Sequence, residues 1–196
     1  MRRLLPLLIL LCTAHSVQGG NSIRISSYRF SFLINEPDEW VIDVRSAAQL
    51  ANFVMYEKGT TWRNSPTVVF GRIVRRGEDE TLIDFIEQSQ AEFQGRCPLP
   101  KTRELDLGLE GAPTFLARSY ICPGMRGEIV AITEVPHYFA MFSLAADKEQ
   151  SLENSLKPFK EMLSGFRWLG RPSQRRPPSH LPRNKPETRP PEKSSG

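Results

Sequence analysis

The sequence predicts an α+β domain, in which an antiparallel β-sheet of about eight strands is covered by two principal helices. Apolar residues recur with a two-residue period along most of the chain from Tyr28 to Ala145, as in half-buried strands. Only two segments, 81–95 and 147–164, change to the helical period. Short turns separate the strand segments, which favours antiparallel pairing because parallel strands need long crossover connections.

Eight strands are predicted from this alternation or from short apolar runs. In YRFSFLI, Tyr28, Phe30, Phe32 and Ile34 alternate with the residues between them and are expected to face the core. The eight segments are 28–34, 40–45, 53–56, 67–74, 104–109, 114–121, 128–135 and 138–145. The third and fourth are apolar on both faces, which is typical of central strands. The last four form two predicted hairpins, which turn at 110–111 and 136–137.

Both predicted helices have recognisable ends. The first has Thr81 as its N-cap and Gly95 just beyond its last turn. In the second, Asp147 followed by Gln150 resembles a capping box. Pro158 lies inside the second segment, and we expect it either to kink the helix or to mark its first turn.

The beginning of the chain, MRRLLPLLILLCTAHSVQG, has the composition of a secretory signal peptide. Two arginines precede an apolar run from Leu4 to Leu11, and small and polar residues follow. The run is shorter than the roughly 20 residues that a membrane-spanning helix needs. We therefore predict a signal peptide over 1–19, cleaved after Ser16 or after Gly19. The protein is expected to be exported, periplasmic or extracellular, and soluble after cleavage.

The net charge of +4 is distributed unevenly along the chain. Residues 171–196 contain seven basic and two acidic side chains, seven prolines and no aromatic residue, a composition typical of a disordered tail. Residues 20–170 contain 17 basic and 20 acidic side chains, so this mildly acidic region argues against nucleic acid as a partner. The predicted domain covers 28–170. The basic tail is either a solvated end or a weak attachment to an anionic envelope surface.

Two cysteines remain after removal of the signal peptide, Cys97 and Cys122. An even pair in an exported chain favours a disulfide. If Glu110-Gly111 is the centre of the hairpin, paired residues have numbers that add up to about 221, and the two cysteines add up to 219. The thiols would then lie nearly opposite each other at the open end of the hairpin. The alternative is two free buried thiols.

The sequence contains no motif for catalysis, metal binding or cofactor binding. His137 is the one histidine of the domain and lies at a predicted turn. The GxSxG elbow of serine hydrolases and a glycine-rich phosphate loop are both missing. The acidic run 78–80 lacks the calcium-loop pattern and is assigned to a turn and a helix N-terminus. Asp43 and Asp106 lie at outward strand positions, which leaves open whether they share a cleft. We predict no catalytic residue, no metal and no cofactor.

One loop contains a candidate recognition element. In YEKGTTWRNSPTVVF, Trp62 stands among glycine, threonine, asparagine, serine and proline residues. In a structural interpretation, the ring folds back onto the sheet and fastens the loop, with threonine and serine hydroxyls tying the turn. In a binding interpretation, Trp62 and Arg63 contact a partner, because these residue types are enriched in binding hot spots. The candidate partner-binding residues are Thr60, Thr61, Trp62 and Arg63.

Taken together, these segments resemble the PsbP-like and Mog1-like superfamily, and in particular an exported bacterial branch of unknown function. The resemblance rests on the opening segment FSFLINEPDEWVID, the stretch MYEKGTTWRNSPTVVF, and a closing helix of the type FKEMLSGF. It covers most of residues 28–168. Members of the superfamily include accessory subunits of photosynthetic complexes and a regulator of a small GTPase, so the resemblance implies the fold and a binding role. It implies no functional residue, and the tail and the cysteine pair lie outside it.

These observations favour an exported, non-catalytic binding or accessory protein of the bacterial cell envelope. Its expected partner is another envelope protein, contacted through one sheet face or through the loop 59–66. The alternative is an envelope-acting hydrolase. Its site would have to be assembled from carboxylates, His137 or tyrosines that are distant in sequence.

Overall fold

Ten strands and two helices make up the described part of the chain. The computed structural model describes residues 21–46, 51–97, 99–123 and 126–172. The strands are β1 Asn21–Ser26, β2 Ser31–Glu36, β3 Trp40–Asp43, β4 Phe53–Glu57, β5 Thr67–Arg75, β6 Lys101–Leu105, β7 Leu116–Ile121, β8 Gly127–Val135, β9 Tyr138–Ala146 and β10 Arg167–Gly170. The helices are α1 Leu82–Arg96 and α2 Glu149–Ser164. The predicted signal peptide 1–19 and the tail beyond residue 172 lie outside the described residues, and both remain predictions.

The strands form two antiparallel sheets. A three-stranded sheet has the order β1-β2-β10, and a seven-stranded sheet has the order β3-β4-β5-β9-β8-β7-β6. The predicted fold class, an antiparallel α+β domain with two principal helices, is therefore confirmed. The described residues contain two strands more than the eight predicted. Both additional strands, β1 and β10, lie at edges of the small sheet. β1 shows the alternation of Ile23 and Ile25 but precedes the predicted start of the domain at 28, and β10 has only four residues.

The core of the domain lies on the inner face of the seven-stranded sheet, which the small sheet and α2 cover together. Phe32 of β2 is fully buried and contacts Phe166, with ring centroids 5.7 Å apart. Phe166 in turn packs edge-on against Phe142 of β9 at 5.3 Å. Phe159 and Leu163 of α2 belong to the same cluster. The two layers are thus joined by aromatic side chains from β2, β9 and the end of α2.

The strand predicted over 28–34 begins too early, because β2 starts at Ser31. Phe30, Phe32 and Ile34 are buried as expected, but Tyr28 is 70% exposed. Residues 27–30 form the turn between β1 and β2, in which the Ser27 hydroxyl accepts hydrogen bonds from the amides of Arg29 and Phe30. Because Tyr28 lies in this turn and not in the strand, its side chain does not reach the core.

The hairpin around 110–111 differs from the prediction in its first strand, which is Lys101–Leu105 and not 104–109, and by one in its register. Lys101 pairs with Ile121, so that paired numbers add up to 222, within one of the expected value. However, β6 ends at Leu105 and not at 109. The Asp106 carboxylate accepts a hydrogen bond from the amide of Gly108, whose φ of 57° turns the chain away from the strand. The connection between β6 and β7 therefore covers residues 106–115 and is not the predicted two-residue turn.

The helix ends confirm one predicted cap and correct two others. Thr81 caps α1, and a capping box is completed by Asp84. Gly95 was expected beyond the helix but lies inside it, because the helix continues to its C-cap at Cys97. The capping box predicted at Asp147 is wrong: α2 has Lys148 as its N-cap with no side-chain hydrogen bond. The Asp147 carboxylate instead forms an ion pair with Arg126 at 3.0 Å.

Pro158 lies inside α2, which begins nine residues earlier at Glu149. It therefore does not mark the first turn of the helix. The amide hydrogen that proline lacks leaves one carbonyl of the preceding turn without its helical donor.

The outer face of the seven-stranded sheet is covered only in part. Helix α1 packs over β7, β8 and β9 through Ile86 and Phe93, and Phe85 stacks on Phe139 with centroids 4.7 Å apart. On the β4–β5 side, the loop 58–66 covers Val54 and Val68. Between these two covers the sheet is open. Within the described ranges, neither helix has the length and apolar character needed to cross a membrane.

Candidate functional site

The loop 58–66, here called the Trp62 loop, is held in place by its own polar side chains. Asn64 Oδ1 accepts hydrogen bonds from the Thr61 amide at 2.6 Å and from the Thr61 hydroxyl at 2.8 Å. The Thr60 hydroxyl donates to the carbonyl of Glu57 at 2.6 Å. The buried Ser65 hydroxyl donates to the carbonyl of Thr67 at 2.7 Å. Hydroxyls tie the turn, as the structural interpretation of the sequence expects.

Trp62 is half-buried and packs on the outer face of the sheet. Its ring joins a small apolar cluster built on Val54 and Val68, with Tyr56 and Phe70 at the edge. The neighbouring residues Thr61 and Arg63 are exposed, and Thr60 is half-buried. The ring therefore fastens the loop, as one interpretation requires, and keeps an accessible part, as the other requires.

A groove of about 340 Å³ separates the Trp62 loop from α1. Its floor is the uncovered part of the outer sheet face, where Phe70 of β5 pairs with Ser143 of β9, and Ser143 pairs with Val130 of β8. Met141 of β9 also contributes to the floor. Trp62 lines one wall, and Ser89, Glu92, Phe93 and Arg96 of α1 line the other. Apolar side chains of Phe70, Val130 and Met141 share the floor with the hydroxyl of Ser143, and the walls are mixed.

Charged side chains surround this apolar floor, and several are paired. Arg96 Nη2 lies 3.5 Å from Glu128 Oε2, which connects the last turn of α1 to β8. The Arg126 guanidinium lies 3.0 Å from Asp147. Arg72 and Glu92 line the groove as well. An apolar centre within a partly ion-paired rim is the usual anatomy of a protein-binding surface.

Tyr120 forms a buried part of the groove lining. Its side chain has no exposed surface and stacks on Phe93, with ring centroids 5.1 Å apart. Within the described residues, its hydroxyl has no hydrogen-bond partner. Burial raises the pKa of the Tyr120 phenol, while the positive charge of Arg118 opposes this rise and Glu128 adds to it. The phenol is therefore neutral at physiological pH and acts as a wall of the groove.

A disulfide fixes α1 to the sheet at one end of the groove. Cys97 and Cys122 are bonded, with Cα atoms 5.9 Å apart, so the pairing predicted from the sequence is present. Cys97 is the C-cap of α1 and its amide donates to the carbonyl of Phe93 at 2.9 Å. Cys122 directly follows β7. The bond therefore holds the wall that carries Phe93 and Arg96 against the floor.

Asp43 and Asp106, for which the sequence left open a shared cleft, do not lie close together. Asp43 ends β3 and Asp106 follows β6, and these strands are the two opposite edges of the seven-stranded sheet. Hydrogen bonds from Ser46 lower the pKa of Asp43, and burial raises the pKa of Tyr56, whose hydroxyl lies 3.3 Å from Asp43.

In the acidic run 78–80, Glu80 accepts a hydrogen bond from the amide of Gly77. In the described parts of the chain, no three metal-ligating side chains come together.

His137 lies where the sequence predicted, in the turn between β8 and β9. Its φ of 68° is unusual for a residue other than glycine, and its carbonyl accepts a hydrogen bond from the amide of Arg76 at 3.1 Å. The histidine is exposed and shares a separate pocket with Glu78 and Tyr138. It is therefore not part of the groove beside Trp62.

The composition of the chain around Trp62 indicated a candidate binding loop, but no sequence pattern indicated the floor and the far wall of the groove. The segments 53–56 and 67–74 are predicted to be central strands because both of their faces are apolar. That pattern already implied that something covers the outer face of the sheet. What could not be read from the sequence is that α1, with its end fixed by Cys97, covers only one side of this face.

Comparison with known proteins finds similarity of fold alone. No family model matches the chain, and no curated protein matches it. Among solved structures, it is similar to cyanobacterial PsbP from Synechocystis sp. PCC 6803, with a TM-score of 0.48 and 16% identity over 81% of this chain and 98% of the other. It is also similar to the Ran-binding protein Mog1p of Saccharomyces cerevisiae, with a TM-score of 0.48 and 11% identity over 76% and 95% of the two chains.

A third similar structure is LpqN of Mycobacterium tuberculosis, described as involved in cell envelope biogenesis. The TM-score is 0.46 and the identity 11%, over 76% of this chain and 90% of the other. The solved structures that resemble the chain thus include the PsbP and Mog1 proteins after which the expected superfamily is named. The likeness concerns the arrangement of strands and helices, and no site or function is taken from it.

Proposed function

We propose that this chain is an exported, non-catalytic binding or accessory protein of the bacterial cell envelope, which holds a segment of a protein partner in the groove beside Trp62. The observation that carries the proposal is the groove between the Trp62 loop and α1, where part of the outer sheet face is left uncovered. The sheet face there is flanked by Trp62 on one side and by Phe93 on the other. A concave site lined by apolar side chains together with a few polar and charged groups is a candidate binding site.

The dimensions of the groove favour a side chain of a macromolecule as its occupant. Small-molecule pockets have volumes of roughly 300–1,000 Å³ and enclose most of the ligand. At about 340 Å³ and only partly enclosed, this groove is at the lower end of that range. It suits one or two apolar side chains of a partner, whose backbone would lie across the charged rim.

The residues at the rim are of the types that supply binding energy. Trp62 has an accessible part of its ring, and the guanidinium of Arg63 lies over that ring. Tryptophan and arginine are enriched among residues whose truncation weakens an interface most. The ion pair of Arg96 with Glu128 lies at the opposite side, where paired charges give orientation and selectivity for a partner.

Both walls of the groove are held before any partner arrives. Hydrogen bonds inside the Trp62 loop order one wall, and the Cys97–Cys122 disulfide holds the other. A preorganised surface loses less conformational entropy on binding than a flexible one. The disulfide also supports export, since such bonds persist in oxidising compartments.

The proposal is tested by photo-crosslinking from α1. A benzophenone amino acid is placed at Ser89, which lines the groove, or at Glu87, which is exposed on the same helix and does not line it. In intact cells, we expect a discrete protein adduct from position 89 and none from position 87. Adding Trp62→Ala should weaken the adduct from position 89. Equal adducts from both positions, or an adduct insensitive to Trp62→Ala, would contradict the proposal.

One observation favours the alternative, an envelope-acting hydrolase. Glu92 and Glu128 line the same groove, so two carboxylates distant in sequence are brought to one place. The Glu128 carboxylate is, however, in an ion pair with Arg96, which suits a structural role better than proton transfer. Incubation with isolated cell envelopes separates the two functions. Release of soluble fragments that is lost in Glu92→Gln and Glu128→Gln would favour the hydrolase, and no release in any variant would favour binding.

A further inference from the structure

A second pocket, distinct from the groove, gathers four arginines at one end of the domain. Arg29, Arg75, Arg76 and Arg171 line it, and we call it the arginine pocket. Its volume is about 790 Å³, and it is open to solvent. Arg171 directly follows the predicted domain. The other three arginines belong to residues 20–170, which carry an excess of acidic side chains, so their concentration is local.

The four arginines come from three separate segments that the topology brings together. Arg75 ends β5 and pairs with Tyr138, the first residue of β9. The amide of Arg76 donates to the carbonyl of His137, which places the β8–β9 turn beside the end of β5. Arg29 lies in the β1–β2 turn, and Arg171 directly follows β10, whose Gly170 pairs with Ser31 of β2. Both sheets thus contribute to the pocket.

The arginine pocket has an aromatic wall. Trp168 of β10 and Tyr138 of β9 line it, with ring centroids 5.7 Å apart. Trp168 is stacked on Phe30, which is buried, so its position is fixed from behind. Charges beside a low-dielectric wall interact with an anion more strongly than charges surrounded by water.

Positive charge exceeds negative charge in this pocket. Glu78 lines it, and Glu134 forms an ion pair with Arg76 at 3.1 Å. For Arg29, Arg75 and Arg171, no carboxylate lies within ion-pair distance among the described residues. Arg29 lies over the ring of the exposed Tyr28 at 4.9 Å. Three exposed guanidinium groups are therefore available to an external anion.

We propose that the arginine pocket binds an organic phosphate, with the phosphate on the guanidinium groups and the carbon-containing part against Trp168 and Tyr138. Planar guanidinium groups bind phosphate oxygens in pairs, which favours phosphate over a simple halide. The pocket volume exceeds that of a bare phosphate ion and leaves room for an attached group. The phosphate is carried either by a small soluble molecule or by a phospholipid headgroup. This site is independent of the groove beside Trp62.

The test uses the full chain and two probes, inorganic pyrophosphate and vesicles of phosphatidylglycerol in phosphatidylcholine. Titration calorimetry is expected to show saturable binding of pyrophosphate at one site per chain. The triple variant Arg29→Ala, Arg75→Ala, Arg171→Ala should lower the affinity at least tenfold. The matched control removes three basic side chains from the tail, as Arg175→Ala, Arg176→Ala, Arg183→Ala, and should leave pyrophosphate binding within a factor of two.

The vesicles identify the source of the phosphate. If the pocket takes a lipid headgroup, the pocket variant loses vesicle binding; if it takes a soluble phosphate, the pocket variant binds vesicles to the same extent as the natural protein. No pyrophosphate binding, or an equal loss in the pocket and tail variants, would overturn the proposal. Circular dichroism checks that the triple variant is folded. If it is not folded, two single variants replace it. Arg75→Glu should weaken pyrophosphate binding, and Arg103→Glu on the exposed strand β6 serves as its control.

Discussion

The guanidinium of Arg63 lies over the indole of Trp62, with its Cζ atom 5.1 Å from the ring centroid. The same indole packs against Val54 and Val68 on the outer face of the sheet. The Trp62 side chain thus connects the loop to the sheet and lines the groove, whereas Arg63 lies over its ring and does not line the groove. The structural and binding interpretations of Trp62 are therefore compatible, and each makes its own prediction.

For stability, we expect Trp62→Ala to lower the free energy of unfolding by about 1–2 kcal/mol. Truncation of a fully buried tryptophan costs about 3–5 kcal/mol, and Trp62 is only half-buried. Arg63→Ala should cost no more than about 0.5 kcal/mol, because Arg63 is exposed. Urea denaturation measures both. A Trp62→Ala variant as stable as the natural protein would show that the ring does not fasten the loop.

Removal of the disulfide should weaken the domain considerably. Cys97 and Cys122 are 25 residues apart, and closing a loop of that length is worth roughly 3–4 kcal/mol in the chain-entropy model. We expect the double variant Cys97→Ala, Cys122→Ala to lose about this much, measured by urea denaturation without reductant. The natural protein with added reductant serves as the control and should approach the variant. Equal stability of the oxidised protein and the variant would exclude a stabilising bond.

The cap of α1 gives a prediction that depends on pH. Hydrogen bonds from the Thr81 hydroxyl and amide lower the pKa of Asp84. A carboxyl whose pKa is lower in the folded state stabilises the fold above its unfolded pKa, and this contribution is lost as the pH falls through the folded value. Thr81→Ala should remove a cap worth about 1 kcal/mol at neutral pH. The stability difference between the two proteins should shrink in acid, measured by urea denaturation at about pH 7 and about pH 2.

Two glycines should respond in opposite directions to replacement by alanine. A Cβ atom at Gly71 of β5 would overlap the ring of Phe53, which is fully buried. We expect Gly71→Ala to destabilise the domain by about 1–3 kcal/mol through overpacking. Gly95 lies in α1 with no atom within 4 Å of an added Cβ, so Gly95→Ala should stabilise by about 0.5–1 kcal/mol. Thermal melts that show the same sign for both would contradict this packing.

The sequence predicted those parts of the fold that depend on local periodicity. Val69 lies on the inner face of β5 and Phe70 on its outer face, as expected for a strand with two apolar faces. The failures occurred where a nearby group competed with the local pattern. Asp147 pairs with Arg126 across the chain and does not cap α2. Such pairing depends on distances that a single sequence does not contain.

Only part of the candidate sites was predictable from the sequence. The Trp62 loop was recognisable from its composition, and the disulfide from hairpin arithmetic. The arginine pocket was not recognised, although the dipeptide Arg75-Arg76 is visible in the sequence. Its other members, Arg29 and Arg171, join it only because β10 pairs with β2 and both sheets end at the same place. Arg29 and Arg171 are 142 residues apart, and convergence over such a distance is a property of topology.

Hydrogen exchange of the full chain, compared in buffer and in solubilised cell envelope, tests the binding role of the groove most directly. We predict slower exchange of amides in the Trp62 loop and in residues 89–96 of α1 when the partner is present. Exchange in the edge strand β6, on the far side of the sheet, should not change. Protection confined to β6 or to the small sheet, with none beside Trp62, would contradict the account.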